Sequence, residues 1–203
     1  MAILNPPEEP DSEKMKKKSS GFILVRAAEK ADAPVIRRIM TESFEKYRRD
    51  AGIRGSLDAL KETLEDIEAD ILGDMRGKHV FLALYGGEPA GSVRVAIDSE
   101  AGEAYISRLG VCGAYSRQGI GKALLRAVDN LLDSRGIQRV SLHTAVANKA
   151  LMAFYHSLGF RVGDIGYDRG YARARLIRES GAKTEEHGGT GVRHGIHRPM
   201  RGV

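Results

Sequence analysis

Apolar residues recur along this chain in two rhythms, and the changes between them set out an order of strands and helices. Phe22 to Arg26 reads as a short strand. Asp32 stands at a helix-cap position with Pro34 in the first turn, and Val35, Ile36, Ile39, Met40, Phe44 and Tyr47 share one face of the helix that follows. After the break between Gly52 and Gly55, Ser56 is placed to cap a second helix with Leu57, Leu60, Leu64, Ile67 and Ile71 turned inward. Three strand patterns come next, His79 to Tyr85, Ala90 to Ile97 and Ala104 to Val111. The turn residues Gly86-Gly87 and the stretch from Asp98 to Gly102 separate them, which predicts an antiparallel meander.

The pattern then returns to helical spacing at Ile120, Leu124, Ala127, Val128, Leu131 and Leu132, and stops at Gly136. Arg139 to Thr144 reads as a strand, Asn148 caps a helix through Leu151, Phe154 and Leu158 to Gly159, and Phe160 to Val162 and Tyr171 to Ile177 read as the last two strands. The strand–helix–strand unit from Ala104 to Thr144 predicts a right-handed crossover between two parallel strands. The expected fold is α/β, a single domain with a mixed, mostly antiparallel central sheet and about four helices.

Between the third meander strand and the long helix lies Ser116-Arg117-Gln118-Gly119-Ile120-Gly121-Lys122-Ala123. Glycines at a helix start let a ligand approach the backbone closely, and the first amides of a helix have no partner within it. With the positive end of the helix dipole they form a seat for a phosphate. Two familiar glycine motifs are excluded by position. A P-loop needs glycine at 116 and a hydroxyl at 123, where Ser116 and Ala123 stand. A dinucleotide fingerprint needs a third glycine where Leu124 stands.

Composition narrows the setting. A chain of 203 residues with 42% hydrophobic content suffices for one core. The proline- and charge-rich residues 1–20 read as a flexible arm, 21–180 as the folded domain, and the Gly-, His- and Arg-rich residues 181–203 as a tail. A single cysteine, Cys112, excludes an internal disulfide framework. No apolar run is long enough to span a bilayer and no secretory leader is recognisable, so the expected location is cytoplasmic, with no membrane partner. His187, His194 and His197 form no organised ligand set, and no metal is expected. The net charge of +5 is unevenly spread: from Ser56 to Asp74 one lysine faces seven acids, whereas arginines and lysines gather near the glycine segment and between Arg169 and Arg178. Nucleic-acid binding rests on that charge alone, and the chain carries no nucleic-acid reading motif.

The glycine segment resembles the acetyl-coenzyme A pyrophosphate loop of the GNAT superfamily of N-acetyltransferases, Q/R-x-x-G-x-G/A. Gly119, Ile120 and Gly121 match its end, while Ser116 replaces the leading Arg or Gln. Downstream, Asn148, Phe154-Tyr155 and Gly159-Phe160 resemble the family's second signature. The resemblance covers roughly residues 22–178 and implies a sheet that splays at its parallel strand pair. It implies that backbone amides from Gln118 to Lys122 seat the coenzyme pyrophosphate and that Arg117 and Lys122 add charge. It also implies that Leu109 and Val111 bond the pantetheine arm through their backbones, that Asn148 contacts that arm, and that Tyr155 serves the departing thiolate. Purely structural roles compete for each: a tight turn at the glycines, an ordinary surface at Arg117 and Lys122, a plain helix cap at Asn148, and aromatic packing at Tyr155.

The implied activity is acetyl transfer from acetyl-CoA, the acyl donor, to a primary amine of a small molecule or a peptide by direct attack. A non-catalytic CoA-binding regulatory module is the alternative. The general base is open. Ser107 occupies a place where many members carry glutamate, leaving Glu103 and His143 as candidates, each with a structural alternative. The acidic stretch from Ser56 to Asp74 could attract a cationic acceptor or be a solvated helix face. Exposed sheet edges near the C-terminal strands are compatible with a homodimer.

Overall fold

The computed structural model describes residues 21–55, 57–73 and 77–179. Seven strands among them form one sheet: β1 (Ile23–Ala27), β2 (Lys78–Tyr85), β3 (Glu88–Asp98), β4 (Glu103–Val111), β5 (Arg139–Ala145), β6 (Arg161–Gly166) and β7 (Arg173–Glu179). Their order is β1-β2-β3-β4-β5-β7-β6. β1 to β4 pair antiparallel in chain order, as the turn residues predict. β4 and β5 pair in parallel, but only from Glu103 opposite Arg139 to Ile106 opposite Leu142. Beyond that point the two strands have no register, and the sheet splits.

Four helices cover the sheet: α1 (Ala33–Asp50), α2 (Leu64–Ile71), α3 (Ile120–Ser134) and α4 (Lys149–His156). Alternation along the strands feeds two cores. On one face Ile120, Leu124, Val128 and Leu132 of α3 meet Ala83, Val93 and Val95 of the meander and Leu142 of β5. On the other, Ile36, Ile39 and Met40 of α1 and Ile67 of α2 meet Val80 and Leu82 of β2. Fully burying one such Leu or Ile side chain contributes about 1.5–3 kcal/mol, so the helices that border the split are held by apolar packing.

The second helix differs from the expectation. In place of one helix with five inward apolar residues, a 3-10 turn at Asp58–Leu60 is followed by α2, which begins only after Thr63. The Thr63 hydroxyl accepts the Asp66 N–H at 3.2 Å, and the Asp66 carboxylate accepts the Thr63 N–H at 2.9 Å. This capping box restarts the helix, and Ser56, expected as the cap, lies outside the described residues. At the head of α1, the Asp32 side chain makes no cap bond to the helix. Its carboxylate accepts Arg26 at 2.6 and 2.9 Å and the Glu29 N–H at 2.7 Å. β6 is an edge strand that runs past the expected Val162 through Gly163 and Asp164, because β7 supplies its backbone partners without requiring apolar alternation. The expected arm and tail also lie outside the described residues, and no helix among those described is long and apolar enough to cross a membrane.

Candidate active site

The glycine segment supplies a row of open donors. No backbone carbonyl or side chain among the described residues accepts the amides of Arg117, Gln118, Gly119, Ile120, Gly121 or Lys122; the first bonded amide after Ser116 is Ala123, which donates to Gly119 O at 3.0 Å. Four of these six, Gly119 to Lys122, are the orphans that begin any helix. The others come from a left-handed entry, with φ of +60° at Arg117 and +85° at Gly119. Glycine accepts that conformation freely, whereas an arginine held there costs of order 1–3 kcal/mol, a strain typical of ligand-gripping segments. A Cβ on Gly121 would stand 3.3 Å from the Phe154 ring, so the bare backbone lets α4 close against α3. Gln118 turns its side chain away from the cleft and accepts the Tyr85 hydroxyl at 3.4 Å.

These amides border one cavity of about 950 Å³ that occupies the split between β4 and β5. Every expected coenzyme-side residue except Gln118 lines it, namely Leu109, Val111, Arg117, Gly119, Ile120, Gly121, Lys122 and Asn148, as does Tyr155. A bulge in β4 shapes the cavity wall: Ser92 pairs with Gly110 and Arg94 with Ser107, so one residue too many lies between, and Arg108 there has a φ of +54°. On the far side, the Tyr47 hydroxyl accepts the Ala145 N–H at 2.7 Å, satisfying an amide that the parting of the strands would otherwise leave open. Sequence spacing placed Tyr47 only on the core face of α1. Its role in the split depends on a residue 98 positions away and has no local signal.

Tyr155 is buried between Phe154 and Phe160, whose ring centroids lie 5.3 and 5.8 Å from its own. Its hydroxyl has no hydrogen-bond partner among the described residues. Burial pushes that hydroxyl well above the ordinary phenol value, so it stays protonated and can only donate to a developing anion. Asn148 caps α4, with Oδ1 accepting the Leu151 N–H at 3.1 Å, while its Nδ2 donates to no described residue. The cap and a cleft-facing donor coexist in one side chain. Cys112 is buried, and burial together with the nearby Glu42 carboxylate raises its thiol pKa, which keeps it protonated and poorly nucleophilic.

The two candidate bases separate. Glu103 sits at the opposite end of β4 from the split, exposed and paired with Arg139 at 2.9 Å, and it does not line the cavity. His143 does line it, with Nδ1 3.1 Å from the Tyr105 hydroxyl. Desolvation, aided by the Arg173 charge, lowers its pKa below 6.5, so the imidazole is neutral at pH 7 and fit to accept a proton.

Four carboxylates of the acidic stretch are paired within the fold. The Glu62 carboxylate accepts Arg94 at 3.1 and 3.3 Å and Arg108 at 2.8 Å. Asp70 pairs with Lys78 at 2.6 Å and with Arg94, Glu68 with Lys30 at 3.0 Å, and Asp58 with Arg169. The charge pattern was legible, but the partners come from strands and loops that sequence periodicity does not bring together. Among the described residues, no group of three or more His, Cys, Asp or Glu is placed to hold a metal ion.

A mixed sheet split at one parallel pair, with open helix-start amides at the mouth of the split, defines an α/β fold of the acyltransferase type. The chain belongs to the acetyltransferase (GNAT) family, whose family model matches residues 36–160. It is 41% identical over 56 residues to N-alpha-acetyltransferase 30 of Schizosaccharomyces pombe, covering 28% of this chain and 37% of that protein. It is 38% identical over 63 residues to the ribosomal protein bS18-alanine N-acetyltransferase of Escherichia coli K12, covering 31% and 43%. The chain thus spans less than half the length of the curated relatives it matches. Its fold is shared with PaiA N-acetyltransferase from Thermoplasma acidophilum in complex with coenzyme A, at a TM-score of 0.67, 21% identity, and 78% and 99% coverage of the two chains. It is shared as well with the ribosomal-protein-S18-alanine N-acetyltransferase from Escherichia coli, at a TM-score of 0.62, 19% identity, and 81% and 97% coverage.

Proposed function

We propose that the protein transfers an acetyl group from acetyl-CoA to a primary amine by direct attack of the amine on the thioester. The observation that carries this reading is the row of six unbonded amides from Arg117 to Lys122, whose residues, Gln118 excepted, line the same cavity as Tyr155. Those amides suit a diphosphate, with Arg117 and Lys122 adding positive charge. Leu109 and Val111 border the open edge of β4, where amide groups of an extended arm can find backbone partners, and Asn148 Nδ2 offers a further donor. Acetyl-CoA, when bound, supplies the activated acyl group.

Tyr155 acts as a neutral donor to the sulfur as its negative charge develops, since a phenol so firmly protonated does not deliver its proton outright. His143, neutral and on the cavity wall, takes the proton that the attacking amine sheds, directly or through water. A covalent route through Cys112 would need a thiolate that its surroundings disfavour. The names of the yeast and bacterial relatives favour a protein α-amine as the acceptor.

A thiol-release assay with acetyl-CoA and a panel of peptides and small amines tests the reading. Turnover is expected with at least one amine, and Tyr155→Phe should lower kcat on the order of 10²-fold while acetyl-CoA affinity is kept. Coenzyme binding without turnover, together with indifference to Tyr155→Phe, would instead mark a CoA-binding regulatory module.

A further inference from the structure

The cavity wall formed by β7 and the C-terminal half of α1 carries a charge that the chain does not neutralise. Arg173 opens β7, pairing with Ala145 on one side and Gly166 on the other. Ala174 and Leu176 enter the core beneath α3 and α4, so alternation sends Arg173 to the opposite face, where it lines the cavity. Its side chain is only 20% exposed, yet it makes no hydrogen bond to any described residue. The single carboxylate in range is Asp168, itself 68% exposed and 3.8 Å away, at the limit of an ion pair. An exposed pair at that distance contributes little.

Three other arginines of the same region are matched. Arg175, on the same face of β7, holds Asp164 at 2.7 Å; Arg108 holds Glu62; Arg169 holds Asp58. Apart from Asp168, no carboxylate pairs with Arg173 among the described residues. Tyr47 is committed to the Ala145 amide, and His143 is neutral, its pKa held down in part by the Arg173 charge itself. A half-buried guanidinium whose donor fork opens on a cavity is free to take the oxygens of a ligand. A guanidinium fork matches a carboxylate in a bidentate arrangement.

We propose that Arg173 recognises a carboxylate on the acceptor, so that the amine acetylated in this cleft belongs to a molecule bearing an anionic group close by. Two sources share this chemistry: the α-carboxylate of a free amino acid, and an acidic side chain near the N-terminus of a peptide. The proposal rests on the N-acetyltransferase reading and makes Arg173 a determinant of specificity within it. It runs opposite to the cationic acceptor that the acidic segment allowed, since Glu62 and Asp70 are engaged with arginines and lysine inside the fold.

The test compares kcat/KM at saturating acetyl-CoA for matched acceptors in two sets. The first sets free amino acids against their amides; the second sets peptides with Asp or Glu at the second position against the same peptides with Asn or Gln. The wild-type protein should favour the carboxylate member of at least one set by roughly ten- to a hundredfold. The set that responds identifies the source, and added salt should narrow the gap. Arg173→Gln should bring the ratio between the two members of the responding set close to one while leaving the acetyl-CoA affinity as it was, and Arg173→Lys should fall between. The ratio is unaffected by any change that loss of the Arg173 charge makes to His143, since both members share that base. Melting curves of both variants guard against misfolding.

Equal use of both members by the wild-type protein overturns the proposal, as does a preference that survives Arg173→Gln. Loss of acetyl-CoA affinity in that variant also overturns it, because the guanidinium then serves the coenzyme. Turnover of cationic amines alone sinks the proposal but leaves the acetyltransferase reading intact. Coenzyme binding with no turnover of any amine sinks the reading, and the proposal with it.

Discussion

At the residue scale, the chemistry depends on how the cleft sets protonation. Burial and the neighbouring Arg173 lower the His143 pKa from 6.5. The proton-accepting form is therefore kept to lower pH than in a free imidazole, and a rate that needs it falls as pH drops through the lowered value. With His143 as the base, the acidic limb of the kcat profile lies below pH 6.5. His143→Gln removes that limb and lowers kcat on the order of 10²-fold. An unchanged profile in the variant would move the base elsewhere. The places of Tyr155 and Asn148 on the cavity wall were legible because each sits in a short recognisable pattern. The choice between Glu103 and His143 was not, since sequence does not reveal that one end of β4 is paired across the sheet while the other opens onto a cavity.

At the element scale, the bulge of β4 is held from outside by the segment between the 3-10 turn and α2. Glu62 is 14% exposed in its side chain and bridges Arg94 of β3 to Arg108 of the bulge. Glu62→Ala leaves two largely buried guanidinium groups short of a partner and should cost about 3 kcal/mol. That corresponds to a fall in Tm of roughly 6–12 °C for a domain of this size, measurable by calorimetry. A loss below 1 kcal/mol would show that Asp70 and solvent suffice for the arginines. The inward pull on Glu62 also accounts for the misread second helix. Leu57, Leu60 and Leu64 have helical spacing, but the chain must break near residue 62 to deliver that carboxylate to the strands, and the Thr63–Asp66 capping box resumes the helix afterwards.

At the scale of the whole molecule, the split sheet joins parts distant in the chain into one cavity: α1, the β4 bulge, the start of α3, the cap of α4 and the loop before β7. A ligand spanning these parts stabilises all of them at once. Acetyl-CoA at about a hundredfold excess over its Kd should add about 2.7 kcal/mol and raise Tm by roughly 5 °C or more in a thermal-shift experiment. Absence of any shift at millimolar ligand would argue against the coenzyme seat. The meander, the crossover and the glycine bend before α3 were all readable in advance, because each is local: alternation, turn residues and helix starts act over a few positions along the chain. Where β4 and β5 part, which amide Tyr47 satisfies, and which charges remain open were decided only by folding. Those outcomes depend on pairings between residues tens of positions apart, made when strands of limited register and arginines of long reach compete for the same partners, and no local pattern encodes who wins.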